Sequence, residues 1–198
     1  MQAITDLIMY FQKGGLVMWP LLACSITVIA IAIERFIYYK GVDSGASFAA
    51  SYCATVRGKD IAAATELAKK AGGQCAQMLV DAAELEGSKE EKSAFLESRA
   101  GIFMATLKDK LDYLGIIVTM SPLLGLLGTI VGMIGAFSIF NVQAGAPMAI
   151  TGGIGEALIA TATGLCVAIL SLCAHSYFAH RMDNMITDLE QCFSALLE

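Results

Sequence analysis

The chain has 198 residues, of which 57% are hydrophobic and only 16% charged, against about 25% charged in an ordinary soluble domain. The net charge is -5, and the ionisable residues crowd into 34–112 and the C-terminal tail, leaving long apolar blocks. That distribution excludes a purely soluble fold, and with no basic run it excludes nucleic acid as a partner.

In residues 1–15, Ile4, Leu7, Ile8 and Phe11 recur at i, i+3, i+4, i+7. This spacing predicts a short amphipathic helix on the outer membrane surface, ended by Gly14-Gly15. A secretory leader is not expected, because the first basic residue is Lys13 and no small-residue cleavage site follows a charged start. Residues 16–40 read as a first transmembrane helix. Leu16–Ile33 is uncharged and Phe36-Ile37-Tyr38-Tyr39 continues it, which is enough for about 30 Å of hydrocarbon. Trp19 and the Tyr38-Tyr39 pair fall where interfacial aromatics belong.

Residues 41–110 read as helices outside the membrane. Asp60 is placed to cap a helix through Ile61–Lys70, which Gly72-Gly73 would end, and Ser88 with Glu91 makes an S-x-x-E capping box. No Gly-Pro signal breaks the pattern from there to Pro122, so the second span (111–140) is expected to be continuous with the preceding helix. From Tyr113 to Gly155 there is no charge at all over 43 residues. One helix of that length would reach about 65 Å, twice the bilayer core, so it must turn, and 141–147 is the place. A third span at 148–180 and a C-terminal helix at 181–198 follow. The expected fold is an all-α integral membrane protein with three transmembrane helices and long helical extensions.

Orientation follows from the basic residues. Eleven of the thirteen Lys and Arg lie between Arg35 and Lys110, Arg181 follows the third span, and Lys13 alone lies on the other side. Because basic loops stay inside, 41–110 and the C-terminus are expected in the cytoplasm, with the N-terminus and the 141–147 turn outside.

Glu156 is the one charged residue between Asp112 and Arg181. A carboxylate within a span costs about 2.5–3.5 kcal/mol on insertion scales, so it either faces a polar interior or protonates. Near the outer end of its span it could equally meet interfacial water or hold a neighbouring helix. Thr129 lies 11 residues before Phe140, and Thr161 lies 11 after Ile150. Both then sit about 16 Å from the outer boundary. Their hydroxyls can form a polar belt at mid-bilayer or simply bond their own helix carbonyls. Gly125, Gly128, Gly132 and Gly135 on the second span, and Gly153, Ala157, Ala160, Gly164, Ala168 and Ser171 on the third, form small-residue stripes suited to close helix packing. The six cysteines show no CxxC and no nearby His pair. They are expected to be buried or membrane-embedded, with no metal and no cofactor.

Three segments then carry a resemblance. Ser121-Pro122-Leu123-Leu124-Gly125-Leu126-Leu127-Gly128-Thr129-Ile130-Val131-Gly132-Met133 resembles the second-span signature of the ExbB/TolQ/MotA proton-channel family. Gly155-Glu156-Ala157-Leu158-Ile159-Ala160-Thr161-Ala162-Thr163-Gly164-Leu165 resembles its third-span signature, and Gly14-Gly15-Leu16-Val17-Met18-Trp19-Pro20 its opening. Together with the topology, the likeness covers essentially the whole chain. Three spans and a short loop domain favour the ExbB/TolQ branch over MotA, which has four spans.

The resemblance implies a bacterial inner-membrane subunit that forms a ring, in known cases a pentamer, around single-span partners of the ExbD, TolR or MotB kind. The partner brings a membrane aspartate that picks up and releases the proton. Thr129 and Thr161 would be pore-lining hydroxyls and Glu156 the family's acidic position; Thr163 departs from the family pattern and takes no role. Gly125, Gly128, Gly132, Gly153 and Gly164 are the expected helix-packing positions. The rival reading is a passive oligomeric membrane scaffold without proton conduction. No nucleophile–base pair or metal-ligand set points to an enzyme.

Overall fold

The computed structural model describes residues 9, 11, 13–142 and 147–197. Among them all regular structure is helical: α1 (Met18–Val42), α2 (Ala46–Arg57), α3 (Ile61–Ala71), α4 (Gly73–Glu84), α5 (Lys89–Lys108), α6 (Leu111–Val142) and α7 (Pro147–Leu197). Among the described residues, three helices are long and apolar enough to cross a membrane. Ile4, Leu7 and Ile8 of the expected surface helix, and the centre of the 141–147 turn, lie outside the described residues. The chain divides into two compact units, one of Met1–Ala32 with Lys110–Ser176 and one of Ile33–Asp109 with Tyr177–Glu198.

In the first unit, Val17, Leu21, Cys24 and Val28 are buried along one stripe of α1 and its entry turn, with the 4-3-4 spacing of a packed helix face. Val17, Met18 and Leu21 cluster with Phe11 and Leu124, and the Phe11 ring meets Trp19 edge-on at 5.2 Å. Helices α6 and α7 run antiparallel: Leu114 bonds Ser171, Gly125 lies against Thr161, and Gly132 lies against Gly153 and Ala157. Their other faces carry Leu123, Leu126, Ile130, Ile134, Leu158, Leu165 and Ile169, all exposed. Only 22%, 28% and 33% of the most apolar windows are buried within the chain. An apolar surface of that extent needs lipid or protein around it.

The second unit is a small helical domain in which α3 packs against α2 and α4, and α4 against α5. Its core includes Tyr52, Leu79, Leu96, Leu107 and Cys192, all essentially inaccessible. Asp60 caps α3 by accepting from the Ala63 N–H at 2.9 Å, and Ser88 and Glu91 form a complete capping box on α5. Gly72, at φ 68°, ends α3 in the left-handed conformation open to glycine. Arg181 Nη2 donates to Asp43 Oδ2 at 2.6 Å, tying the final stretch of α7 to the segment after α1.

Two helix boundaries differ from expectation. The single helix expected from Ser88 past Pro122 is broken between α5 and α6 at Asp109-Lys110, where Lys110 adopts φ 66°. The physical cause lies in who takes the last carbonyls of α5. Arg35 Nη1 donates to the Thr106 carbonyl at 3.0 Å, and the Tyr39 hydroxyl donates to the Leu107 carbonyl at 2.8 Å. In an unbroken helix those acceptors would serve residues 110 and 111; here side chains satisfy them and the helix stops. The opposite holds downstream. The segments expected at 148–180 and 181–198 are one 51-residue helix, and no Gly or Pro after Gly164 interrupts it.

Candidate functional site: the seam between α6 and α7

The small residues decide how closely α6 and α7 approach. A methyl on Gly125 would stand 3.1 Å from the Thr161 Cα and 3.2 Å from the Ala160 carbonyl oxygen. On Gly164 it would stand 2.6 Å from the Ser121 carbonyl oxygen and 3.0 Å from Gly125 Cα, and on Gly128 it would collide with the Ala160 Cβ. Gly132 and Gly153 face each other's backbone, with Ala136 against Gly153 and Ala157 against Gly132. Backbone-to-backbone approach of this kind is what lets van der Waals contact hold helices together in lipid. Gly135 is the exception in the stripe: nothing lies within 4 Å of where its Cβ would be. The packed face of α6 runs Gly125, Gly128, Gly132, Ala136, and a residue at 135 is turned about 100° away from it.

Against Gly125 in this seam sits Thr161, half-buried. Its hydroxyl is within 3.1 Å of the Gly125 carbonyl on α6 and 3.2 Å of the Ala157 carbonyl on its own helix. The proton is therefore donated to the backbone, while the oxygen lone pairs remain able to accept. Thr129 donates to the Leu126 carbonyl at 2.6 Å and Thr163 to the Ile159 carbonyl at 2.8 Å. Thr161 and Thr129 are thus anchored separately, with no backbone acceptor in common. Ser171, fully buried, donates across the seam to the Leu114 carbonyl at 2.9 Å. Ser121 is also fully buried, yet its hydroxyl has no hydrogen-bond partner. It stands beside Pro122, whose ring removes one backbone N–H from the helix.

Glu156 lies one turn from Ala160 on α7, half-buried, with its carboxylate against the Gly15 backbone. Among the described residues it has no ion pair. The seam and Glu156 together place hydroxyls and one carboxylate in an otherwise uncharged segment. No group of three or more His, Cys, Asp or Glu able to hold a metal occurs among the described residues. Of the six free cysteines, Cys24, Cys53, Cys75 and Cys192 are buried, while Cys166 and Cys173 are exposed on the apolar stretch of α7.

Sequence reasoning treated Arg35 only as an orientation marker. It is instead 3% exposed, paired with Glu34 at 2.7 Å and lying 4.7 Å from the Tyr38 ring centroid. An Arg directly at the end of an apolar run, with aromatic residues following, was the available signal.

Comparison with known proteins agrees with this architecture. Residues 65–191 match the MotA/TolQ/ExbB proton channel family. The chain is 34% identical over 166 residues to the biopolymer transport protein ExbB-like 3 of Synechocystis sp., covering 81% of this chain and 79% of that protein. It is 27% identical over 186 residues to the biopolymer transport protein exbB1 of Vibrio cholerae, covering 90% and 82%. It is 37% identical over 81 residues to the Tol-Pal system protein TolQ of Pseudomonas aeruginosa, covering 40% and 35%. With its helical fold, three membrane-crossing helices and these matches, the chain belongs to the MotA/TolQ/ExbB proton channel family.

Proposed function

We propose that the chain forms a ring, a pentamer, around a single-span partner of the ExbD or TolR kind. In this reading proton flow through the bacterial inner membrane drives movement of that partner. The observation that carries it is the Thr161 hydroxyl, held within the α6–α7 seam with its proton already committed to the carbonyls of Gly125 and Ala157. Such an oxygen can only accept a further hydrogen bond, so it favours a protonated carboxyl on the partner over an ionised one. Thr129 is arranged alike, with its proton on the Leu126 carbonyl. A belt of acceptors at mid-span would stabilise the neutral, loaded form of the partner, and Glu156 would stand on the outer approach. One charge crossing the membrane supplies about 2.3 kcal/mol per 100 mV for the movement.

The test is Thr161→Val with Thr161→Ser beside it. Valine keeps the shape and removes the acceptor, so partner co-purification should stay normal while proton-driven activity falls at least tenfold; serine should restore it. Full activity in the valine variant would overturn the reading.

A passive scaffold has one observation in its favour: both threonine hydroxyls are satisfied by backbone without any partner. Full activity in both Thr161→Val and Glu156→Gln is what that scaffold reading requires.

A further inference from the structure

The Gly14-Gly15 pair, a helix stop by sequence, has no part in the proposed proton path. Both glycines pack on α7, one helical turn apart. A methyl on Gly14 would meet Met18 Cγ at 2.5 Å and Ile159 Cγ2 at 3.2 Å. A methyl on Gly15 would overlap Glu156 Oε1 and stand 2.9 Å from Glu156 Cδ. Gly15 is at φ 73°, so the chain adopts at this point a conformation that glycine enters without penalty. The turn is fixed on both sides: Met18 N–H bonds the Gly15 carbonyl at 3.2 Å, and the Phe11 and Trp19 rings meet edge-on across it. Val17, two residues beyond Gly15, packs with Met18, Leu21 and Leu124.

We infer that Gly15 is a positioning residue for Glu156: the bare backbone of the 14–15 turn is the wall against which the carboxylate rests, and it sets where the acid stands at the outer end of the α6–α7 seam. The inference deepens the proposed function, since positioning matters to proton movement only if Glu156 takes part in it. The geometric half stands alone. Glu156 has no ion pair among the described residues, so its place is set by what it packs against. Any side chain at position 15 must push the carboxylate aside or pull the turn off α7.

The test uses the full chain with its co-expressed partner in membranes, then purified in lipid nanodiscs. A hydrophobic carbodiimide, which adds to protonated carboxyls, is the probe, and labelling at Glu156 is read by mass spectrometry. Gly15→Ala should change the labelling rate at Glu156 at least threefold, and lower assembly and proton-driven activity, because the carboxylate is displaced from its wall. Glu156→Asp withdraws the carboxylate by about 1.5 Å, one carbon–carbon bond. The pair Gly15→Ala with Glu156→Asp should therefore recover the assembly and proton-driven activity that Gly15→Ala alone loses. The backbone strain at position 15 is the same in the single and double variants, so recovery reads the contact and not the strain. Wild-type labelling in Gly15→Ala, or a double variant no better than Gly15→Ala alone, overturns the positioning role. Should Glu156→Gln keep full activity while Gly15→Ala still shifts the labelling, the contact stands and its part in proton movement is overturned.

Discussion

Asp188 shows how a single ionisable group reports on the helical unit outside the spans. Burial, reinforced by the nearby Asp43 carboxylate, pushes its carboxyl above the ordinary range. A carboxyl that holds its proton more tightly folded than unfolded opposes folding once it ionises, and the opposition fades as pH falls towards the ordinary carboxylate range. Asp188→Asn is therefore expected to raise the thermal midpoint at neutral pH, with the gain vanishing in mild acid. A midpoint difference that is flat with pH would contradict this. The thiols beside it behave in the same sense. Burial pushes Cys75 up to about 12 and raises Cys192 further, so both stay protonated and unreactive at neutral pH. The Cys53 and Cys192 sulfurs stand 3.8 Å apart as packed thiols.

Among the elements, α5 and α6 hold the clearest consequence. The Tyr39 hydroxyl is buried with the Leu107 carbonyl as its acceptor. Tyr39→Phe would strand that carbonyl at a cost of about 1–3 kcal/mol. The expected readout is faster amide hydrogen exchange around the end of α5, with α3 unchanged. At the seam, Gly164→Leu places a branched side chain where even a methyl would lie 2.6 Å from the Ser121 carbonyl oxygen. It should separate α6 from α7, and native mass spectrometry with lipid retained should show the loss of the ring proposed for the wild type. A monomeric wild type would refute the ring.

Much of this was legible in sequence, for identifiable reasons. Charge-free length gave the spans, Ser88-Glu91 and Asp60 gave helix starts by local chemistry, and the glycine spacing gave the packed face of α6. What sequence could not give depends on distant partners. The break at Asp109-Lys110 is made by Arg35 and Tyr39, some seventy residues earlier in the chain. The contact of Gly15 with Glu156 joins residues 141 positions apart. Gly135 was misplaced on the packed face because a three-residue step and a four-residue step lead to neighbouring but different sides of a helix.

For the whole molecule, orientation is the property most readily tested. The concentration of basic residues between Arg35 and Lys110 predicts that a cysteine probe at Ala144 is labelled from outside the cell and one at Ser88 is not. Reversed accessibility would turn the scheme over and put Glu156 on the cytoplasmic approach.

The exposed apolar belt also constrains how the chain is made. With a third or less of its most apolar windows covered by its own residues, a finished chain released into water would aggregate before it met a membrane. Each span is therefore expected to enter lipid while the chain is still being made. The α6–α7 hairpin, uncharged from Tyr113 to Gly155, suits entry as one piece. Its cross-helix bond from Ser171 to Leu114 and its glycine contacts then form only once both arms are in lipid. A slow codon stretch or a trigger that delays the second arm would leave Ser171 and the Leu114 carbonyl without each other, and would be felt first as degradation of newly made chain.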